Sequence, residues 1–455
     1  MRVNYHQPLV RRNFALGVAN GVVFIAASAF MEPTAVLPAF VLALTGGGKI
    51  WVGIVAALVT CGWFWPQILL GGFFSTRTRL LPFYWVSSAG RVAAMLAIAA
   101  VIACAPHGHS AGLFLAVAAL FFLYSSSGAV GMIPFYSIVS DSMPANRRGR
   151  FFGLRCLMGG LLAMGAGLVV KAVLSDSHGL QFPQNYVLMF GIAAVLMAIS
   201  AGAFSLVAEP EHNVQRHKLP LSMEIARGPR LLRRDRNWRL LMWSRVFGSI
   251  AGGSTAPFLV PFALEVLKAP QSVVGAFLTI MAAASAGSNL LWSHIGDKRG
   301  NRKLLIWSSA TAALPAAVAL VSLAVPATPL GTWFGLPLTL RLAVFSLAFI
   351  PLGFAAPGQD IGQTNFLLDI APERRRSTYL AFSYVVMLPL AWWPVVGALI
   401  IGQARFALAF ALGTLAAAAT VLIVARLDEP RADDLGLVAE GAPEVEVQPL
   451  AAGGY

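Results

Sequence analysis

Few residues in this 455-residue chain can do chemistry, and most of them lie where charge is costly. Glu32 falls near the middle of a first apolar segment about 50 Å long at the helical rise, just before Pro33, a residue that loosens helices. An ionisable group at membrane depth costs several kcal/mol unless it is paired or wetted, so each one is a functional candidate. A carboxyl group desolvated there can take up and release a proton near physiological pH. A static alternative stands beside that reading. Arg91, near the middle of the third apolar segment, can pair with Glu32, or a nearby Ser or Thr can hydrogen-bond it. A second constellation is Gln359, Asp360, Gln363 and Thr364, where Asp360, Gln363 and Thr364 fall at i, i+3 and i+4 on one helical face. That face either lines a cavity or locks its helix to its neighbours.

Weaker candidates follow. Gln67, Ser125 to Ser127, Ser285, Ser288 and Asn289 are small polar groups that can line a cavity, but in membrane helices such groups more often serve packing. Arg155 and Arg245 each lie about 10 Å inside one end of their segments. They can snorkel, attract an anionic solute, or form gating pairs with Asp141 or Asp369, the favoured use of the three. Trp63, Trp65, Trp392 and Trp393 suit interfaces or a flat solute, and His294 suits an interface. Cys61, Cys104 and Cys156 have unrelated spacings and suggest neither disulfides nor a metal site. The sequence has no phosphate-binding Gly-x-x-x-x-Gly-Lys-Ser/Thr stretch, no nucleophile elbow and no zinc-type His motif. An enzyme, an ATP-driven pump and a bound cofactor are therefore not expected.

The elements that position these residues are membrane helices. The chain is 58% hydrophobic and 11% charged, with a mean hydropathy of +0.73, outside the range of soluble domains. A span needs about 20 apolar residues. The sequence offers twelve such segments, near 13–45, 50–75, 80–105, 111–140, 150–174, 185–208, 238–267, 270–296, 303–325, 337–369, 376–401 and 403–427. They do not alternate as barrel strands do. Arg11 and Arg12 followed by Ala27-Ser28-Ala29 resemble a cleaved leader, but the repeat described next needs this segment. Of 33 Lys and Arg, 25 fall in the termini and in every second turn, which by the positive-inside rule places both termini in the cytoplasm of a cell inner (plasma) membrane. The net charge of +14 reflects this topology and not a nucleic-acid partner.

The chain repeats itself. Asp141-Ser-Met-Pro144-Ala-Asn-Arg147-Arg148-Gly-Arg-Phe151 recurs as Asp369-Ile-Ala-Pro372-Glu-Arg-Arg375-Arg376-Ser-Thr-Tyr379, and Val36-Leu37-Pro38 recurs as Leu259-Val260-Pro261. The expectation is an all-α polytopic protein with a six-helix half at 1–208, a basic cytoplasmic linker at 209–237, a second six-helix half at 238–427 and an acidic, disordered tail at 428–455. The linker is expected to hold a short helix around Ser222 to Arg227, lying on lipid headgroups or serving as a solvated tether. Glu32 matches Ala256 in the second half, so the fold does not itself require the carboxylate.

With twelve spans in two copies, the chain resembles the major facilitator superfamily. That family carries Gly-x-x-x-Asp-x-x-Gly-Arg/Lys-Arg/Lys after the second helix of each half. Here Ser293, Asp297, Gly300, Arg302 and Lys303 follow the pattern, with Ser293 for the first Gly and Asn301 intervening, whereas Gly71 to Arg79 is degraded and has no Asp. The resemblance implies a monomeric secondary transporter that moves a small organic solute by alternating access, with proton symport through Glu32 as one mode of coupling. It also implies gating by Asp297, which is expected near Arg148 to Phe152 at the start of the fifth helix, where free N–H groups favour a carboxylate. Gly159, Gly160, Gly165 and Gly167 lack the Pro that the family's antiporter signature requires. The alternatives are export of lipids or amphipathic drugs, and a non-transporting receptor, assembly factor or scaffold on the same fold.

Overall fold

The computed structural model describes residues 7–431 apart from 75, 105–110, 176–178, 211–220, 334, 373–374 and 403–404. The acidic tail beyond 431, and with it the expected disorder, lies outside the described residues. Twelve helices are long and apolar enough to cross a membrane, as the hydropathy pattern requires. The first six spans are α1 (Gln7–Ala29) continued by α2 (Val36–Thr45), then α3 (Lys49–Phe74), α4 (Leu81–Ala103), α5 (Ala111–Ser142), α6 (Ala145–Val173) and α7 (Gln184–Ser205). A linker helix, α8 (Leu221–Arg234), follows. The last six spans are α9 (Arg236–Thr255) continued by α10 (Leu259–Glu265), then α11 (Val273–Arg299), α12 (Asn301–Ala324), α13 (Leu340–Ser346) with α14 (Phe349–Ile370), α15 (Arg376–Leu390) with α16 (Trp393–Ile401), and α17 (Phe406–Val424).

Leu side chains that a soluble protein would bury point outward. Val86, Leu115, Leu399, Leu415 and Leu422 are 62 to 74% exposed, which suits lipid as the solvent. Aromatic residues fill the interior instead, with Phe40, Phe121, Tyr186 and Phe190 in the first half and Phe262, Phe277, Phe345 and Phe349 in the second. The rings of Phe277 and Phe349 stack at 3.9 Å.

Two corrections to the expected elements concern local chemistry. Residues 13–45 do not form one helix, because the chain unwinds between Ala29 and Val36 around Glu32-Pro33. The Glu32 carbonyl there accepts the N–H groups of Val36 and Leu37, each at 3.1 Å. The matching position in the second half breaks as well, with a turn of 3-10 helix at Ala256–Phe258. The second difference is a hairpin of β1 (Pro329–Trp333) and β2 (Leu336–Thr339) between α12 and α13, which occupies the expected connection at 326–336 and the first residues of the span expected at 337–369. The linker helix also runs to Arg234, well past the expected Arg227.

The repeat is visible in packing. In the first half α1 lies on α6 and α7, α4 on α5 and α7, and α3 on α5. In the second, α9 lies on α16 and α17, α12 on α14 and α17, and α11 on α14. It is also visible in hydrogen bonds. Asn13 donates to Ala208 O at 2.9 Å and accepts from Ala208 N at 3.0 Å, while Asn237 donates to Asp428 O at 3.3 Å and accepts from Asp428 N at 3.0 Å. Beside them, Arg12 reaches Leu206 O at 3.0 Å and Arg236 reaches Arg426 O at 3.1 Å. The next residue caps a helix in each half. Glu209 accepts from Leu81 N at 3.1 Å at the start of α4, and Glu429 accepts from Arg302 N at 2.8 Å at the start of α12, where a carboxylate meets free N–H groups and the positive end of the helix dipole. These clasps tie the first, third and sixth spans of each half together at the end of the molecule that carries the termini.

Candidate functional site

The two halves meet along the end away from the termini. Lys49, at the start of α3, forms a 2.8 Å ion pair with Glu265, at the end of α10, and its ammonium also lies 5.8 Å from the centre of the Phe406 ring. Glycines allow backbone-to-backbone approach on both flanks. A Cβ on Gly53 would fall 2.6 Å from Pro394 O, and a Cβ on Gly275 would strike the backbones of Lys171 and Gly167. Small residues in these seams are how membrane helices pack closely. Nearer mid-span, Thr279 Oγ1 is 3.4 Å from Met164 O, and the Phe64 and Tyr384 rings face each other across the halves at 5.8 Å.

Towards the terminus end, no hydrogen bond or ion pair joins the halves among the described residues. The charged turn around Asp297, expected to gate, lies there. Asp297 is exposed and is not brought to Arg148, which instead donates to Met143 O at 3.1 Å and to Ser140 O at 2.5 Å. Among the described residues no hydrogen bond or ion pair joins Asp297 to the start of α6, and a Cβ on Gly149 or Gly153 there would meet nothing within 4 Å, whereas one on Gly160 would meet Ala286. Gly300 and Arg302 serve their own half. Gly300 adopts a left-handed φ of 85° against the Glu429 carboxylate, and Arg302 donates to Ala425 O at 2.7 Å. Lys303 is half-buried beside them. Asp369 accepts from Asn301 at 2.6 Å, and Ser140 donates to Asp141 at 3.4 Å.

Glu32 sits at the break between α1 and α2 and accepts from the Thr34 hydroxyl at 2.9 Å. Thr34 also lies 3.8 Å from Met281 Sδ of the second half. Among the described residues no ion pair joins Glu32 to Arg91. Arg91 instead donates to the Tyr124 hydroxyl at 2.8 Å, lies over the Phe24 and Tyr124 rings at 4.9 and 4.6 Å, and keeps a buried Nε without a partner. Of the two static alternatives for Glu32, the hydroxyl bond is the one found.

Arg155 and Arg245 do not reach Asp141 or Asp369. Arg155 donates to Gly17 O at 3.0 Å and Asn20 Oδ1 at 3.1 Å, with its guanidinium 4.5 Å from the Phe135 ring and pressed on Gly21. Arg245 is close enough to Asp360 and Tyr384 to interact with their charges. Tyr136 of the first half lies within electrostatic range of Arg155 in its own half and of Asp360 and Tyr384 in the other. This group of Arg155, Tyr136, Asp360, Arg245 and Tyr384 lies between the halves on the open side. Asp360 and Thr364 are exposed there, one turn apart on α14. Gln363 is half-buried. Gln359 turns away and lines a separate cavity of about 130 Å³ inside the second half, with Thr255, Ser309 and Thr420.

The remaining polar candidates are bonded locally. Asn289 donates to Ser285 O at 2.8 Å on its own helix, Ser125 donates to Val59 O at 2.6 Å, and the Trp65 indole donates to Ser126 at 2.9 Å. Gln67 has Met132 Sδ at 3.9 Å. These contacts fasten helices, as small polar groups commonly do in membranes. Tyr136 and Tyr384 were not singled out by sequence, since a tyrosine in an apolar run carries no signal of direction. The Asn13 and Asn237 clasps were missed as well, although Arg12-Asn13 with Glu209-Pro210 and Arg236-Asn237 with Glu429-Pro430 form a readable repeat.

A family model described as MFS/sugar transport protein matches residues 70–359. No curated protein matches the chain. Three solved structures show the same fold. The nucleoside transporter NupG superposes with a TM-score of 0.66 at 12% identity, covering 92% of this chain and 100% of its own. A D-xylose-proton symporter gives 0.65 at 13%, covering 93% and 99%. A bacterial homologue of the iron transporter ferroportin, in its inward-facing state, gives 0.64 at 13%, covering 92% and 98%.

Proposed function

Because the chain belongs to the MFS/sugar transport protein family, a family of membrane transporters and not of enzymes, we propose that it carries a small organic solute by alternating access between its two six-helix halves. The observation that carries this reading is the one-sided closure. Lys49–Glu265 and the glycine seams join the halves at one end, while Asp297, Thr364 and Asp360 stand open at the other. Rocking of the halves about the mid-span contacts would exchange the two ends. The excess of Lys and Arg in the turns at the terminus end assigns that end to the cytoplasm, so this arrangement faces inward.

The solute site is the space between Tyr136 and Arg155 on one side and Asp360, Arg245 and Tyr384 on the other. Its support is convergence, with charged and aromatic groups from both halves facing one gap between the repeats, where transporters bind their solutes. The paired breaks at Glu32-Pro33 and Ala256-Pro257 belong to the same logic, since interrupted spans at matching positions of two repeats mark such sites. Glu32 is the proton-coupling group in this reading. Its carboxylate accepts from the hydroxyl and the backbone N–H of Thr34, among the described residues no cation pairs with it, and its second-half counterpart is Ala256.

A thermal-shift screen of sugars, organic acids, amino acids and siderophore-like compounds identifies the solute, because a ligand that binds the native state stabilises it. Uptake of that compound into proteoliposomes, with and without a pH gradient, then compares the wild type with Glu32→Gln. Gradient-driven accumulation in the wild type that Glu32→Gln loses supports coupling. Equal gradient dependence in both removes Glu32 from that role, and binding without any uptake favours a receptor on the same fold.

A further inference from the structure

The exposed face of α8 carries a row of arginines, and from Ile225 to Arg234 the helix holds no carboxylate. Its other face is committed. Gly228 lies against the Phe382 ring of α15 so closely that a Cβ would strike it, and Leu231 and Leu232 pack on the cluster of Trp238, Tyr379 and Phe382. The opposite face presents Arg227, Arg230, Arg233 and Arg234, all exposed, and among the described residues none has an acidic partner. These four positions span about 10 Å of helix at 1.5 Å per residue.

Directly beside this row the chain's own acidic segment begins. Asp428 is ion-paired to Arg236 and bonded in both directions to Asn237, so the root of the segment is pinned two residues from the end of α8. From there the sequence runs through Asp433, Asp434, Glu440, Glu444 and Glu446, with no Lys or Arg between 432 and 455. The five residues from Asp428 to Asp433 reach at most about 17 Å in an extended chain, a tether long enough for the first pair of acids to meet Arg233 and Arg234.

We propose that the acidic segment 432–455 associates with the arginine face of α8, as a tethered polyanion on a basic helix. The occupant is argued from complementary charge and from tethering. Single exposed pairs are worth about 0–1 kcal/mol, but a short tether holds the segment at an effective concentration on the order of mM, an advantage that a free anionic partner lacks. The association places the segment on the second half alone, because α8 rides on α15, and beside the open terminus end. It is electrostatic, so salt weakens it, the Debye length falling to about 3 Å at about 1 M.

The test uses the full chain in nanodiscs of zwitterionic lipid, with Cys61, Cys104 and Cys156 replaced by alanine and spin labels on Ala226→Cys and Gly441→Cys. The expected result at low salt is a short-distance population that disappears at about 1 M salt. It should also disappear in the quadruple variant Arg227→Gln/Arg230→Gln/Arg233→Gln/Arg234→Gln and in a variant with Asp433, Asp434, Glu440, Glu444 and Glu446 all neutralised as amides. The amide variant leaves α8 untouched, so loss of signal there is not misfolding of the helix. A distance distribution that is the same in all three overturns the proposal. So does a wild-type chain with no short population in zwitterionic discs whose Ala226→Cys label becomes protected only when phosphatidylglycerol is added, an outcome that assigns the arginines to lipid.

Discussion

Lys49 and Glu265 meet at 2.8 Å across the two halves, at the end of the molecule away from the termini. The pair is partly exposed, with side chains 23 and 27% accessible, so it acts as a modest latch and not as a lock. Removing either charge should shift the balance between the two open states by about 1.4- to fivefold, since such pairs contribute about 0.2–1 kcal/mol. Labelling of a cysteine placed at Ala57 from the far side should rise in Lys49→Ala and in Glu265→Ala, and return to the wild-type rate when Lys49→Glu and Glu265→Lys are combined.

The glycine seams should matter more than the ion pair. At Gly275 an added methyl meets the backbones of Lys171 and Gly167, which cannot turn aside as a side chain can. Gly275→Ala should therefore wedge the far end open and slow return to the arrangement described here, an effect larger than that of Lys49→Ala in the same labelling assay. Gly287→Ala, where a Cβ meets nothing within 4 Å, is the control and should change neither rate.

The clasps at the terminus end should carry stability rather than conformational balance. Asn13 is 3% exposed and satisfies both backbone groups of Ala208, so Asn13→Ala should cost about 1–3 kcal/mol by leaving them unpaired. Asn237→Ala should cost less, because its partner Asp428 is more exposed, 71% at the side chain. Thermal unfolding in detergent orders the two variants. The reverse order would mean that the matched geometry does not carry matched energy.

Much of the fold was legible because hydrophobic run length and charge asymmetry act residue by residue. The twelve spans follow from that, and the repeat of Asp141 to Phe151 at Asp369 to Tyr379 gave the two halves. Pro33 and Pro257 stand at the paired breaks, yet an unbroken apolar run over 13–45 masked the first of them. What the sequence withheld depends on the rotation of helices about their axes. Glu32 and Arg91 are both at mid-depth, yet Arg91 turns to Tyr124 and Glu32 to Thr34, and nothing in the spacing distinguishes those outcomes from a salt bridge. Asp360 was legible as a candidate, but the tyrosines that complete its surroundings were not. The strands at 329–339 are short and held by backbone bonds, which leave little pattern in side-chain type. The role of Asp297 depends on which end is closed, a property of the conformation and not of the motif.

The central claim is that the two ends open in alternation, and one helix pair reads both ends. In α6 and α11, labels at Arg150→Cys and Lys298→Cys report the terminus end, and labels at Ala172→Cys and Gln271→Cys report the far end. Double electron–electron resonance on the two labelled proteins, with and without the compound found by thermal shift, measures both distances. The account predicts that the first distance shortens as the second lengthens. Two distances that stay fixed, or that change in the same direction, would contradict it.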